Sequence, residues 1–224
     1  FTADGLSKTQ SGGESSNVGV EQVSTHAGNV AYIIAYIISD DGRIKVKYTH
    51  MEMPQLDENR TYYQIKYEIL GDVSFNDFSR DFQFYSVESM DPTGLYQRVG
   101  YLGTDNHCYV AKAQPKGSSA QYELGSYIPY FSFFDMDNST SEHNRGGYSN
   151  VGLIVQSSSF KIDGKSASPR FVVNDFGGKL ALSLNLGEVT LKAGDCITMN
   201  IILLPWGSQE MDGKYDEVQD SNVR

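Results

Sequence analysis

Apolar and polar positions alternate over much of the chain. Ile44, Val46 and Tyr48 are interleaved with Arg43, Lys45 and Lys47. Tyr63, Ile65, Tyr67 and Ile69 mark one side of the next run, with Gln64, Lys66 and Glu68 opposite. Leu180, Leu182, Leu184 and Leu186 alternate with Ala181, Ser183 and Asn185, and Ile197, Met199, Ile201 and Leu203 repeat the pattern. A period of two places successive side chains on opposite faces, so these runs predict half-buried strands. Segments 30–38 and 127–134 are apolar at both parities, which predicts strands placed centrally or under a covering loop. Asp40-Asp41-Gly42, Asp163-Gly164, Gly177-Gly178 and Ala193-Gly194-Asp195 supply the turn chemistry between runs. No helix-period stretch of about twelve residues occurs, and 53–58 is the one short helix predicted. The pattern therefore predicts an all-β fold of roughly eleven to thirteen strands, an antiparallel β-sandwich of jelly-roll or Greek-key type. Residues 1–17, rich in Gly, Ser and Thr, read as a lead-in segment, 18–207 as the sandwich, and the polar, acidic stretch 208–224 as a linker toward a following domain. Two smaller sandwiches divided near residue 115 are the alternative.

The length of 224 residues suits one large domain or two small ones. Acidic residues outnumber basic ones by 28 to 18, for a net charge of −10. Nucleic-acid binding needs clustered Lys and Arg to displace counterions, and the densest basic stretch, Arg43, Lys45 and Lys47, reads as the solvated face of a strand. The same charge argument disfavours anionic membrane surfaces. The longest apolar run, 30–38, is about half a membrane span, so membrane insertion is not expected. The chain begins at Phe1 without a basic-then-apolar leader and reads as a soluble piece of a longer protein. Cys108 and Cys196 lack CxxC or Cys/His spacing, which argues against zinc and for two buried free thiols rather than a disulfide. The sequons at Asn59 and Asn138 agree with surface loops.

Motifs for a serine nucleophile elbow, a phosphate-cradling loop, a zinc-protease helix and a dinucleotide turn are all absent. The densest oxygen-donor segment contains Asp135 and Asp137 two residues apart, which can offer a hard cation such as calcium its first ligands. No other cofactor is implied. His143, Arg145 and Tyr148 bring together the residue types a polysaccharide lyase uses to abstract a proton beside a uronate and neutralise its carboxylate. Glycoside hydrolysis needs two facing carboxylates, and Glu68 and Asp81 both read as outward polar positions. Aromatic residues make the more suggestive pattern, since sugar rings stack on aromatic faces while amides read their hydroxyls. Alternation points Tyr62 and Tyr85 away from the core, places Trp206 at a strand end, and sets Asn185 and Asn200 on outward faces beside small residues.

The stretch from Val151 through Gly207, with an Ala193-Gly194-Asp195 turn feeding a long alternating strand, resembles β-sandwich modules of large secreted carbohydrate-active proteins of bacteria. The resemblance covers about a quarter of the chain and carries no family catalytic residue. It implies an extracellular or cell-surface, multimodular context with polysaccharide and neighbouring domains as partners. The expectation is a non-catalytic module that binds glycan through Tyr62, Tyr85, Asn185, Asn200 and Trp206, or that buttresses a catalytic neighbour. A β-sandwich lyase or hydrolase, and a capsid-like or adhesive assembly sandwich, are the alternatives.

Overall fold

A computed structural model describes residues 15–25, 28–52, 61–88, 98–134 and 148–208. For 15–25, 28–33, 52, 87–88, 133–134, 148–151 and 204–208 the description is of the backbone alone. In chain order the strands are β1 (Ser15–Thr25), β2 (Gly28–Ile38), β3 (Ile44–Glu52), β4 (Thr61–Ile69) and β5 (Val73–Phe75). A helical turn α1 (Phe78–Asp81) precedes β6 (Tyr85–Glu88), β7 (Arg98–Leu102), β8 (Cys108–Lys112), β9 (Ala120–Glu123) and β10 (Tyr130–Phe134). The remainder are β11 (Tyr148–Ile162), β12 (Lys165–Ala167), β13 (Phe171–Asp175), β14 (Lys179–Leu184), β15 (Val189–Leu191) and β16 (Cys196–Ser208). The protein is all-β and antiparallel, as the alternation predicts. Sixteen strands among the described residues exceed the expected count. Three of them, β5, β12 and β15, have three residues each, too few for a period of two to register.

The described residues group into two compact units interleaved in sequence. The first draws on 1–84, 155–169 and 185–203, the second on 85–154, 170–184 and 204–224. In the first unit β1, β2, β3, β4, β16 and the later half of β11 are hydrogen-bonded neighbours in that order, with β12 folded back on β11. Ile44, Val46, Ile65, Tyr67, Ile69, Ile197, Met199 and Ile201 are buried on one face of this sheet. The register agrees, pairing Val46 with Tyr67, Ile197 with Tyr67, and Met199 with Ile65. Burying each such aliphatic side chain contributes roughly 1.5–3 kcal/mol. The short β5–β15 pair and α1 supply the aromatic partners of this face: Phe75, Phe78, Phe82 and Phe84 gather with Tyr67. The Tyr67 hydroxyl donates to the Phe84 carbonyl at 3.1 Å, which satisfies the one polar atom Tyr67 brings into the core. Main-chain bonds from Phe78 N to Gly187 O and from Ser79 N to Leu186 O tie the helical turn down. The helix predicted at 53–58 lies outside the described residues.

In the second unit β7 joins β8 and β10, and β10 joins the early half of β11, while β6, β14, β13 and β9 form another antiparallel sheet. Tyr101 on β7 stacks on Tyr122 of β9 at 4.7 Å, and Gly125 N donates to Leu102 O, so these two sheets are in contact. Asp175, buried at the end of β13, accepts from Gln114 N and Gly177 N, and burial pushes its carboxyl above the ordinary value.

Four expectations change here. Ala181 and Ser183, read as outward, are fully buried with the leucines of β14. Both faces of β14 are covered, so its large-small alternation reflects two packed faces of unequal volume, not core against solvent. The strand over 30–38 does lie between two others, yet Ile34 to Ile37 are only half-buried and Ile38 is exposed. In 127–134 Tyr127 is 82% exposed, because the strand begins only at Tyr130. Cys108 and Cys196 are free thiols, but they are not the buried ones expected: Cys108 is exposed and Cys196 half-buried, at the first positions of β8 and β16.

Gly177 has φ +72°, and a Cβ there would drive into the Pro115 carbonyl oxygen. Gly42 has φ +74° with open space around it. Left-handed backbone costs a side chain about 1–2 kcal/mol. Gly42→Ala is therefore expected to lose about 1 kcal/mol and Gly177→Ala about 3 kcal/mol, the excess measuring the clash with a backbone atom that cannot swing aside. Paired urea unfolding curves would read the difference, and equal losses would place the cost in φ alone.

Candidate functional site

The outward face of the first unit's sheet follows from its register. Thr49 pairs with Gln64 across β3 and β4, and Gln64 pairs with Asn200 across β4 and β16. These three residues alternate with the buried set, so they share the opposite face. Gln64 Nε2 donates to Asn200 Oδ1 at 3.1 Å, and Asn200 Nδ2 donates to Ser157 Oγ at 2.7 Å. The result is a ladder of neutral amide and hydroxyl groups running across three strands. Each amide has two donor hydrogens and an oxygen with two lone pairs, so the ladder leaves part of its capacity unused.

One row along, Met51 pairs with Tyr62 and Tyr62 with Ile202. A groove of about 260 Å³ lies over these two rows, lined by Thr49, Met51, Tyr62, Gln64, Gln156 and Asn200 together with Tyr63 and Ile201. The Thr49 hydroxyl oxygen is buried there without a hydrogen-bond partner among the described residues. On the other side of the ladder, Lys47 pairs with Lys66 and Lys66 with Thr198. Beyond them Lys45 pairs with Glu68. Lys66 Nζ lies 2.7 Å from Glu68 Oε1 and Lys45 Nζ lies 3.6 Å from Glu68 Oε2. The hydrogen bond to Lys66 holds the Glu68 carboxyl below its usual value, and the same bond raises the Lys66 ammonium. Lys45 and Lys47 also stand over the Tyr36 ring at 5.2 and 5.8 Å.

Of the residues singled out from sequence, the structure brings Tyr62 and Asn200 into one groove. Asn185 is exposed just after β14, away from that lining, and Tyr85 pairs with Leu182 in the second unit. Trp206 is on β16, with only its backbone described, as is Tyr148 at the start of β11. Asp135, Asp137, His143 and Arg145 lie outside the described residues. Among the described residues no group of three or more His, Cys, Asp or Glu is arranged to hold a metal ion. Glu68 is committed to two lysines and Asp81 closes α1, where its carboxylate accepts from Asp77 N. Sequence reasoning missed Thr49, Gln64, Gln156 and Ser157. Their signal was weak, for they are ordinary outward residues whose convergence depends on a strand pairing between β4 and β16 that no local pattern encodes.

No protein-family model matches the chain, and no curated protein does. No helix among the described residues is long and apolar enough to cross a membrane, which says nothing of a β-barrel. Among solved structures the chain is similar to two crystal structures of the GH36 alpha-galactosidase AgaA from Geobacillus stearothermophilus. The one in complex with raffinose aligns at 13% identity over 87% of this chain and 26% of that one, with a TM-score of 0.47. The one in complex with stachyose aligns at 13% identity over 90% of this chain and 28% of that one, with a TM-score of 0.49. The chain thus spans little more than a quarter of the length of the enzyme it resembles.

Proposed function

We propose that this chain is a non-catalytic β-sandwich module of an extracellular carbohydrate-active protein and that it binds glycan in the groove of its first unit. The observation that carries the reading is the Gln64–Asn200–Ser157 ladder running beside Tyr62 along one open groove. A pyranose presents an apolar C–H face and a rim of hydroxyls. The C–H face would settle against Tyr62 and Met51, and the hydroxyls would meet the amides of Gln64 and Asn200. Among the described residues the groove has a neutral lining, made of amides, hydroxyls, a thioether and aromatic or aliphatic groups, which suits the holding of a sugar through stacking and hydrogen bonds. Its volume falls below the roughly 300–1,000 Å³ of closed small-molecule pockets, which fits shallow contact with one or two units of a longer chain.

The test is a glycan array probed with the chain, each positive well then assayed for reducing ends and unsaturated products. Binding without products is expected. Tyr62→Ala and Asn200→Ala should each weaken the bound glycan about ten-fold in calorimetry, the scale of one lost stacking or hydrogen-bonding contact. Undiminished affinity in both variants would remove this groove as the site, and product formation would replace the binding reading with an enzymatic one. Calcium binding by the carboxylates of Asp135 and Asp137 belongs to the same proposal.

A further inference from the structure

We infer that the groove selects anionic glycan, with a carboxylated or sulfated sugar lying against Lys47 and Lys66; the inference rests on the glycan-binding reading above. The whole chain carries a net charge of −10, yet the groove's own face runs the other way. Among the described residues the outward side chains of β3 and β4 include Lys45, Lys47 and Lys66 against the single carboxylate of Glu68. Glu68 is shared between Lys45 and Lys66. Lys47 forms no ion pair among the described residues, and its ammonium rests over the Tyr36 ring. Lys47 is two residues from Thr49 on β3, and Lys66 two residues from Gln64 on β4. Same-face residues two apart on a strand are separated by about 6.6 Å, within reach of a lysine side chain.

Charges beyond about 8 Å are screened at physiological salt, so the nearest groups set the field in the groove and the remote acids do not. A sugar seated over Gln64 and Asn200 would therefore direct an anionic substituent toward Lys47 and Lys66, where an ammonium–oxyanion hydrogen bond is stronger than a neutral one. The unpartnered Thr49 hydroxyl lies between the lysine row and the Met51–Tyr62 row, as a donor on the path of that substituent.

The full chain would be titrated with polygalacturonate and alginate as carboxylated probes and with chondroitin sulfate and heparin as sulfated ones. Each would be compared with its carboxyl-reduced or desulfated form, and with xylan and mannan as neutral glycans. The expected result is that at least one anionic probe binds and that neutralising it weakens binding at least ten-fold. Raising salt from 50 to 500 mM should weaken it further, and Lys47→Glu should match the neutralised probe while leaving the unfolding curve unchanged. The responding arm tells carboxylate from sulfate. Xylan or mannan bound as tightly as any anionic probe would overturn the inference and leave the glycan reading standing. No binding to any probe would overturn both. Anionic binding that ignores both Lys47→Glu and Tyr62→Ala would place the site elsewhere.

Discussion

Phe82→Ala is expected to lower the unfolding free energy by about 4 kcal/mol, the middle of the range for deleting a buried aromatic ring. Phe82 is fully buried and has ring neighbours on several sides. It stacks on Phe78 at 4.8 Å, and meets the edges or faces of Tyr67 at 5.0 Å, Phe84 at 5.1 Å and Phe75 at 5.4 Å. Such a cluster cannot close around the vacated ring, because each neighbour is pinned by another contact: Phe78 by the main-chain bond to Gly187, Phe75 by the β5–β15 pair, Tyr67 by its strand. The lost transfer energy and the residual cavity therefore add. Urea unfolding followed by circular dichroism should show a lowered midpoint at unchanged slope. A loss under about 1.5 kcal/mol would mean that the region collapses freely and that the cluster is not the centre of the unit. Tyr67→Phe is the control. It keeps the ring and deletes the bond to the Phe84 carbonyl, for about 1–2 kcal/mol.

Tyr67 also carries a pH signature. Burial pushes its phenol well above the ordinary value, so the folded chain keeps the proton when the unfolded chain releases it. The associated stability is fully present below pH of about 10 and is lost as pH rises beyond that. Tyr67→Phe should flatten that alkaline arm of the stability curve, and an unaltered arm would assign it to other groups.

What could be read from the sequence was what is local. Arg43 to Tyr48, Tyr63 to Ile69 and Ile197 to Leu203 announce their own inner and outer faces, and the buried residues among them form the sheet's core. The candidate site was legible only in part for the same reason. Tyr62 and Asn200 could each be read as outward, but their adjacency depends on β16 pairing with β4, strands more than a hundred residues apart. The β14 face was misread because alternation records a difference between two faces without saying what lies on either. Leucines opposite Ala181 and Ser183 look amphipathic until a second packed layer accounts for the small residues. The aromatic centre was invisible to a period-two search, since Phe75, Phe78, Phe82 and Phe84 reach one point through a strand, a helical turn and an extended exit.

Asp195→Ala is expected to cost about 3 kcal/mol, through a mechanism unrelated to packing. The side chain is 2% exposed and its carboxylate is an acceptor for three main-chain donors. Oδ2 takes Asp163 N at 2.7 Å and Lys192 N at 2.8 Å, and Oδ1 takes Gly164 N at 2.9 Å. Asp163 and Gly164 have φ of +51° and +74°, the left-handed pair of a tight hairpin turn between β11 and β12. Lys192 belongs to the turn between β15 and β16, and the main chain of Asp195 and Gly194 is bonded to Ile69 at the end of β4. The carboxylate thus joins two turns, and the main chain beside it ties them to a strand end. Hydrogen bonds to a charged acceptor are worth about 1.5–3 kcal/mol each, but these turns lie at the surface, where water can replace part of what is lost. That discount brings three bonds to a net of about 3 kcal/mol, and a fall in melting temperature of about 6–12 °C for a chain of this size. Asp195→Asn keeps the shape but has a single acceptor oxygen, and it would turn an amide N–H toward at least one main-chain donor. It should therefore recover only part of the loss. Scanning calorimetry of the three proteins separates charge from shape: full recovery by Asn would mean that geometry alone matters. A loss below 1 kcal/mol in both variants would mean that the two turns hold their conformations without the carboxylate between them.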